Sequence, residues 1–152
     1  MNEKKFFSLL SQLNELKKNK KAETPILIAG RIPSFDPEAS DMLFDSMNTI
    51  RNNFHFSERQ EYIDLAKDFL ADQITADDFL YSFIGIYDGI EQKVAQMEKD
   101  ESLELTNFLK TSQSELGDLL LQIYGACDCF GHIISDEKEL KDCAQILLLK
   151  LQ

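Results

Sequence analysis

The sequence predicts an all-α protein, an antiparallel helical bundle, and three observations carry that expectation. Apolar residues recur at three- and four-residue steps along most of the chain, as helices buried on one face require. Glycine and proline are scarce, six and three in 152 residues, so tight turns are few. Helix-start signals, a short polar side chain followed three positions later by an acid or amide, stand ahead of several periodic stretches. The length suits a single domain with a sizeable core. We expect a four-helix core over residues 57–152, preceded by an N-terminal helix and coil extension over residues 1–55.

Residues 3–18 read as the first helix, with Phe6, Leu10, Leu13 and Leu16 on one face. It runs into Lys17, Lys18, Lys20 and Lys21, where positive charge suits the C-terminal end of the macrodipole. Pro25, Gly30, Pro33 and Pro37 then break the pattern, and the run Ile26 to Ala29 reads as an extended segment against the bundle. Asp36-Pro37 starts the next helix, an acidic N-cap followed by proline at the first helical position. Leu43, Met47 and Ile50 or Phe54 face inward there, and Asn52-Asn53 ends the periodicity, leaving His55 in a loop.

Ser57, with Gln60 three residues on, reads as the cap of a helix whose inward face is Tyr62, Leu65, Ala66, Phe69 and Leu70. Thr75 caps the following one, with Asp78 at its third position and Ile74 and Phe79 flanking the cap as a hydrophobic staple. That helix spans about Ala76 to Lys99 and carries the stripe Phe79, Phe83, Ile86, Tyr87, Ile90, Val94 and Met97. Gly85 and Gly89, four apart, leave room for a neighbouring helix to come close. Glu98 to Glu101 reads as a charged turn. A further helix covers about Ser102 to Phe130, broken near Thr111-Ser112, where Ser112 and Glu115 offer a second capping box. Its inward residues are Leu116, Leu119, Leu120, Ile123, Tyr124, Cys127 and Phe130, and Gly131 suits its end. The last helix starts at Ser135 or Asp136 and buries Leu140, Cys143, Leu147 and Leu151.

The net charge is −11 and unevenly placed. Residues 1–59 hold nine Lys/Arg against eight Asp/Glu, a balance of +1, and residues 60–152 hold seven against nineteen, a balance of −12. An acidic surface of that kind excludes nucleic acid and anionic membrane as partners and favours a basic protein. Three cysteines fit a reducing compartment better than a disulfide framework. The N-terminus has an interrupted apolar run and no cleavage signature, and no stretch approaches bilayer length, so we expect a cytoplasmic protein.

No motif for chemistry emerges. Cys127 and Cys129, two apart on a helix, point about 200° from one another and cannot chelate together; with His132 and Cys143 they match no zinc spacing. They read as small buried hydrophobes, and we expect no metal and no cofactor. Phosphate-binding, dinucleotide and hydrolase signatures are absent, so the expectation is not an enzyme; a thiol enzyme using Cys129 or Cys143 with His132 is the catalytic alternative. What remains is carboxylates. Four residues of helix advance about 6 Å, which sets Asp64, Asp68 and Asp72 in an evenly spaced row off the apolar face. Asp77, Asp78, Asp88 and Glu91 continue the acidity on the next helix. These seven are the candidate partner-binding residues, a docking face where complementary charge would speed and orient association. A solvated face of an acidic protein is the alternative account of the same row.

Two segments resemble the bacterial self-protective colicin-like immunity family of the colicin D immunity type. One is IDLAKDFLADQITADDF, Ile63 to Phe79; the other is ELGDLLLQIYGACDCF, Glu115 to Phe130, followed by an acidic loop and a final helix. The resemblance covers residues 57–152. It implies a compact helical bundle that inhibits a basic, tRNA-cleaving nuclease by covering its active site, and it leaves residues 1–55 without a counterpart. The competing expectation is a regulatory or structural interaction module of the same fold, binding through an apolar patch on the N-terminal extension.

Overall fold

The computed structural model describes residues 2–19, 35–110, 113–129 and 136–152. Among them the chain forms six α-helices: α1 (Glu3–Asn19), α2 (Pro37–Ser57), α3 (Arg59–Leu70), α4 (Ala76–Lys99), α5 (Ser114–Asp128) and α6 (Glu137–Leu151). A short 3-10 segment, Leu103–Phe108, lies between α4 and α5. The described residues contain no strand, and the helices pack as a bundle, as the periodicity predicts. Expectations resting on the Ile26–Ala29 run, the Thr111-Ser112 break with its Ser112 cap, Phe130, Gly131, His132 and Ser135 fall outside the described residues.

Local signals set several boundaries where they were expected. The Asp36 side chain accepts from the Ala39 amide at 2.9 Å, with Pro37 at the first helical position. Asp136 likewise accepts from Glu139 at 2.9 Å and starts α6. Thr75 and Asp78 form the full capping box: Asp78 N–H donates to Thr75 Oγ1 and Thr75 N–H to Asp78 Oδ2, both at 3.1 Å.

Two expected boundaries are corrected. Asn52-Asn53 does not end α2, which continues through His55 to Ser57 because Phe54 and Phe56 still pack against the core. Ser57 is accordingly no cap; its hydroxyl donates back to the Phe54 carbonyl at 2.7 Å, and α3 begins after Glu58 without a side-chain cap bond. Of the stretch expected as a helix from Ser102 broken near Thr111-Ser112, the first part is the 3-10 segment and the second is α5, whose cap position, Gln113, makes no side-chain bond.

Both helices that end inside the central region close with a left-handed residue. Asp72 (φ 54°) follows α3 and Glu101 (φ 51°) follows α4. Each end carries the paired Schellman bonds: Gln73 N–H to the Asp68 carbonyl with Asp72 N–H to Phe69, and Ser102 N–H to Met97 with Glu101 N–H to Glu98. Glycine is the usual occupant of such positions, since a Cβ there costs about 1–2 kcal/mol. Here both residues are acids.

The core has two parts. α3, α4, α5 and α6 bury Tyr62, Phe69, Phe79, Phe83, Leu120, Ile123, Leu140 and Leu147, among others. Phe69 and Phe79 stack at 4.5 Å across the α3–α4 turn. α1 and α2 bury Phe6, Leu10, Leu13, Leu43, Met47 and Ile50 with Val94 of α4 and Leu105. Phe54 packs against both parts. Thus the N-terminal segment is tied to the bundle through α2, which lies against α4 and α5 as well as α1.

The glycines behave differently from expectation. A Cβ at Gly85 or Gly89 would meet nothing within 4 Å, so no helix approaches there. The close approach is at Gly117 of α5, where a Cβ would sit 2.2 Å from Asn52 Oδ1 of α2.

Relieving the left-handed acid at the end of α4 should stabilise the chain. Glu101→Gly is expected to raise the urea midpoint by the equivalent of about 1 kcal/mol, and Glu101→Val to lower it. Equal midpoints for the two variants would show that the turn stores no strain.

Candidate functional site

The polar residues that converge lie on α2 and α4 and meet in the interior. Arg51 and His55 are four apart on α2, and Glu91 and Glu98 are seven apart on α4, so each pair shares one helix face. Arg51 Nε donates to Glu91 Oε2 at 3.1 Å, and Arg51 Nη2 to Glu98 Oε2 at 2.8 Å. His55, 2% exposed, has Nε2 at 3.0 Å from Glu91 Oε1 and Nδ1 at 2.9 Å from the Tyr62 hydroxyl. A carboxylate can only accept, so Nε2 carries a proton and donates to Glu91, while Nδ1 pairs with the Tyr62 hydroxyl. Both imidazole nitrogens are therefore committed.

Burial, above all, lifts the Tyr62 phenol far beyond the ordinary tyrosine range, with Tyr87 and Glu91 nearby adding to it, so it stays a donor. Burial also pushes the Glu91 carboxyl up, but the His55 hydrogen bond and the Arg51 charge prevail and hold it below its usual value. At Glu98 burial wins over Arg51 and the carboxyl is raised. Its Oε1 is buried without a hydrogen-bond partner among the described residues. Glu98 was expected in an exposed charged turn; the structure turns it inward, 5% exposed.

Beside this network a cleft of about 430 Å³ opens between α2, α4 and α5. Asp45, Asn48, Asn52 and His55 line it from α2 at helical spacing, Tyr87 and Glu91 from α4, and Asp118, Leu120 and Leu121 from α5. The Tyr87 ring stacks on His55 at 4.7 Å and meets Tyr124 at 5.0 Å. The sequence signal for this cleft was the polar stripe on α2, hidden once that helix was taken to end at Asn52-Asn53.

The seven carboxylates expected to bind a partner separate into two groups. Asp64, Asp68, Asp72, Asp77 and Asp78 are exposed around α3 and the α3–α4 turn. Asp64 accepts from Gln60 at 2.8 Å, Asp72 pairs with Lys141 of α6, and Asp78 is engaged in the capping box. The Thr75 hydroxyl and amide hold the Asp78 carboxyl below its ordinary value. Asp64, Asp68 and Asp77 make no ion pair among the described residues. Asp88 and Glu91 do not join that row. Asp88 is half-buried and hydrogen-bonded to the Tyr124 phenol, whose pKa it raises, and Glu91 belongs to the interior network. Fourteen helical residues, about 21 Å, separate Asp77 from Glu91.

Cys127 and Cys143 are buried in the apolar core, and Cys129 is half-buried at the end of α5. Burial pushes the Cys127 thiol up to about 12 and raises Cys143 as well, which suppresses the thiolate a nucleophile needs. His132, the proposed base, lies outside the described residues. No group of three or more His, Cys, Asp or Glu placed to hold a metal ion occurs among the described residues, and no described helix is long and apolar enough to cross a membrane. Comparison of the chain with protein-family models, with curated proteins and with solved structures gives no match.

Two outcomes test the interior network. Arg51→Met leaves Glu91 and Glu98 without their cation and should cost about 3 kcal/mol in urea unfolding; a loss below a third of that would show the pair to be solvent-compensated. Because burial raises Glu98, the folded chain holds that proton more tightly than the unfolded one, a contribution present at low pH and lost as pH rises through the folded value. Wild type should therefore gain stability relative to Glu98→Gln as pH falls from about 7 toward the ordinary glutamate value of 4.5. A difference constant with pH would place Glu98 in water.

Proposed function

We propose that this chain is a non-catalytic acidic binding protein that inhibits a basic, tRNA-cleaving cytotoxic nuclease by lying over its active site. The observation that carries the reading is the exposed carboxylate group at one end of the bundle. Asp64, Asp68 and Asp77 stand in solvent with no internal cation among the described residues, spaced along α3 and the start of α4. Asp64 and Asp68, four apart on α3, mildly destabilise that helix, so folding does not account for the pair, whereas Asp77 in the first turn of α4 also suits the macrodipole. Asp72 adds to this: a carboxylate at a helix C-terminus opposes the macrodipole, and its left-handed backbone suits glycine. Local rules broken in this way belong most often to functional positions.

The reading also draws on the resemblance of Ile63–Phe79 and Glu115–Phe130 to the colicin D type of immunity protein. A surface that replaces a polyanion in a basic cleft must itself present spaced anions, and association would be fast and salt-sensitive. The alternative, an apolar docking module using the N-terminal segment, meets a difficulty in α1: Phe6, Leu9, Leu10 and Leu13 are already covered.

Co-expression with a panel of basic tRNA-cleaving toxin domains tests the proposal. At least one should be neutralised, and the triple variant Asp64→Lys, Asp68→Lys, Asp77→Lys should abolish growth rescue with its helical circular dichroism intact. Rescue that survives the triple reversal, or survives in no case even for wild type, would retire the reading.

A further inference from the structure

The cleft between α2, α4 and α5 has a use that the carboxylate row does not cover. Its inner wall is fully committed to itself: both His55 nitrogens, both Glu91 oxygens and two Arg51 nitrogens are spent within the network. That wall is therefore fixed in position and nearly neutral, and it leaves no free base or nucleophile facing the opening. The uncommitted groups lie around it. Asp45 of α2 and Asp118 of α5, on facing walls, have exposed carboxylates with no ion pair among the described residues. The Asn48 and Asn52 amides and the Tyr87 hydroxyl line the same space, and none makes a side-chain hydrogen bond among the described residues. Leu121, exposed, supplies an apolar patch on one side, with Leu120 buried beneath.

An opening with two carboxylates and neutral acceptors selects a cation, and the apolar patch of Leu121 suits one carried on a hydrocarbon stem. The planar guanidinium, with five donors in a fixed fork, can meet acceptors on facing walls at once, which a compact ammonium cannot. The missing side chain at Gly117 matters too, because it lets Asn52 lie against the α5 backbone within this space. Anions and nucleotides are disfavoured, since among the described residues Arg51 is the one Lys or Arg on the lining and Glu91 and Glu98 already hold it.

We propose that this cleft is a receptor for a single arginine side chain presented by the basic protein partner. The inference rests on the reading that the chain binds such a protein, and it adds a second contact, on the α2–α5 side, to the carboxylate row at the α3–α4 end. The row would attract and orient; the cleft would anchor one side chain and discriminate arginine from lysine.

The cleft can be tested without any toxin. In 1H–15N spectra of the full chain, N-acetyl-arginine methylamide should cause saturable shifts at the Asn52, Tyr87 and Gly117 amides. Asp45→Asn with Asp118→Asn, both at exposed positions, should weaken that binding at least about tenfold while leaving the remaining spectrum in place. N-acetyl-lysine methylamide should bind more weakly than the arginine probe. Absence of saturable shifts, shifts unchanged in the double variant, or equal response to the two probes would each overturn the proposal. Arginine binding with no toxin rescue would instead retire the nuclease reading and leave the cleft standing.

Discussion

One half-buried cation holds this architecture in register. Arg51 places its guanidinium between Glu91 and Glu98, two turns apart on α4, and His55 one turn further along α2 closes the same face onto Glu91 and Tyr62. Such a pair adds little net stability over a well-packed apolar substitute, but a slip of either helix would strand buried charge. The interaction therefore specifies which face of α2 meets α4. With that face fixed, Leu43, Met47 and Ile50 cover α1 on one side, and Asp45, Asn48 and Asn52 open toward α5 on the other.

This constraint also separates the acidity into parts with different work. Glu91 and Glu98 are structural charges that share one guanidinium, Glu98 buried and Glu91 partly so. Asp64, Asp68 and Asp77 remain in water on α3 and at the start of α4, without an ion pair among the described residues. Between the two lies a cleft whose walls are set by the interior network and whose rim carries Asp45 and Asp118. Net charge alone treats these carboxylates as one population, whereas burial and pairing show three.

The sequence was most legible where information is local. The Asp36-Pro37 start, the Thr75–Asp78 box and the Asp136 cap each reside in four residues, and each proved correct because the bonds form within one helical turn. The apolar stripes were legible for the same reason. What failed was non-local. Asn52-Asn53 has poor helix propensity, but packing of Phe54 and Phe56 and the His55 hydrogen bonds carry α2 past it. Glu98 stands in a run of charges that reads as solvent-exposed, and only its partner forty-seven residues away shows that it is buried. The cleft was invisible because α2, α4 and α5 each supply part of a wall. Asp64 and Asp68 stand off the apolar face of α3 as expected, but α3 ends at Leu70, so Asp72 lies past it in a left-handed conformation and does not continue the evenly spaced row; its Lys141 partner comes from α6 and has no local signal.

If the Arg51 network is what joins the N-terminal segment to the bundle, the two must open together. Native-state hydrogen exchange, read residue by residue, measures this directly. The amides of α2 around Met47 to Phe54 and of α4 around Glu91 to Met97 should share one opening free energy, the highest in the molecule, and respond identically to denaturant. Exchange of α2 at a clearly lower free energy, while α4 stays protected, would contradict the account by showing that α2 detaches without disturbing the bundle.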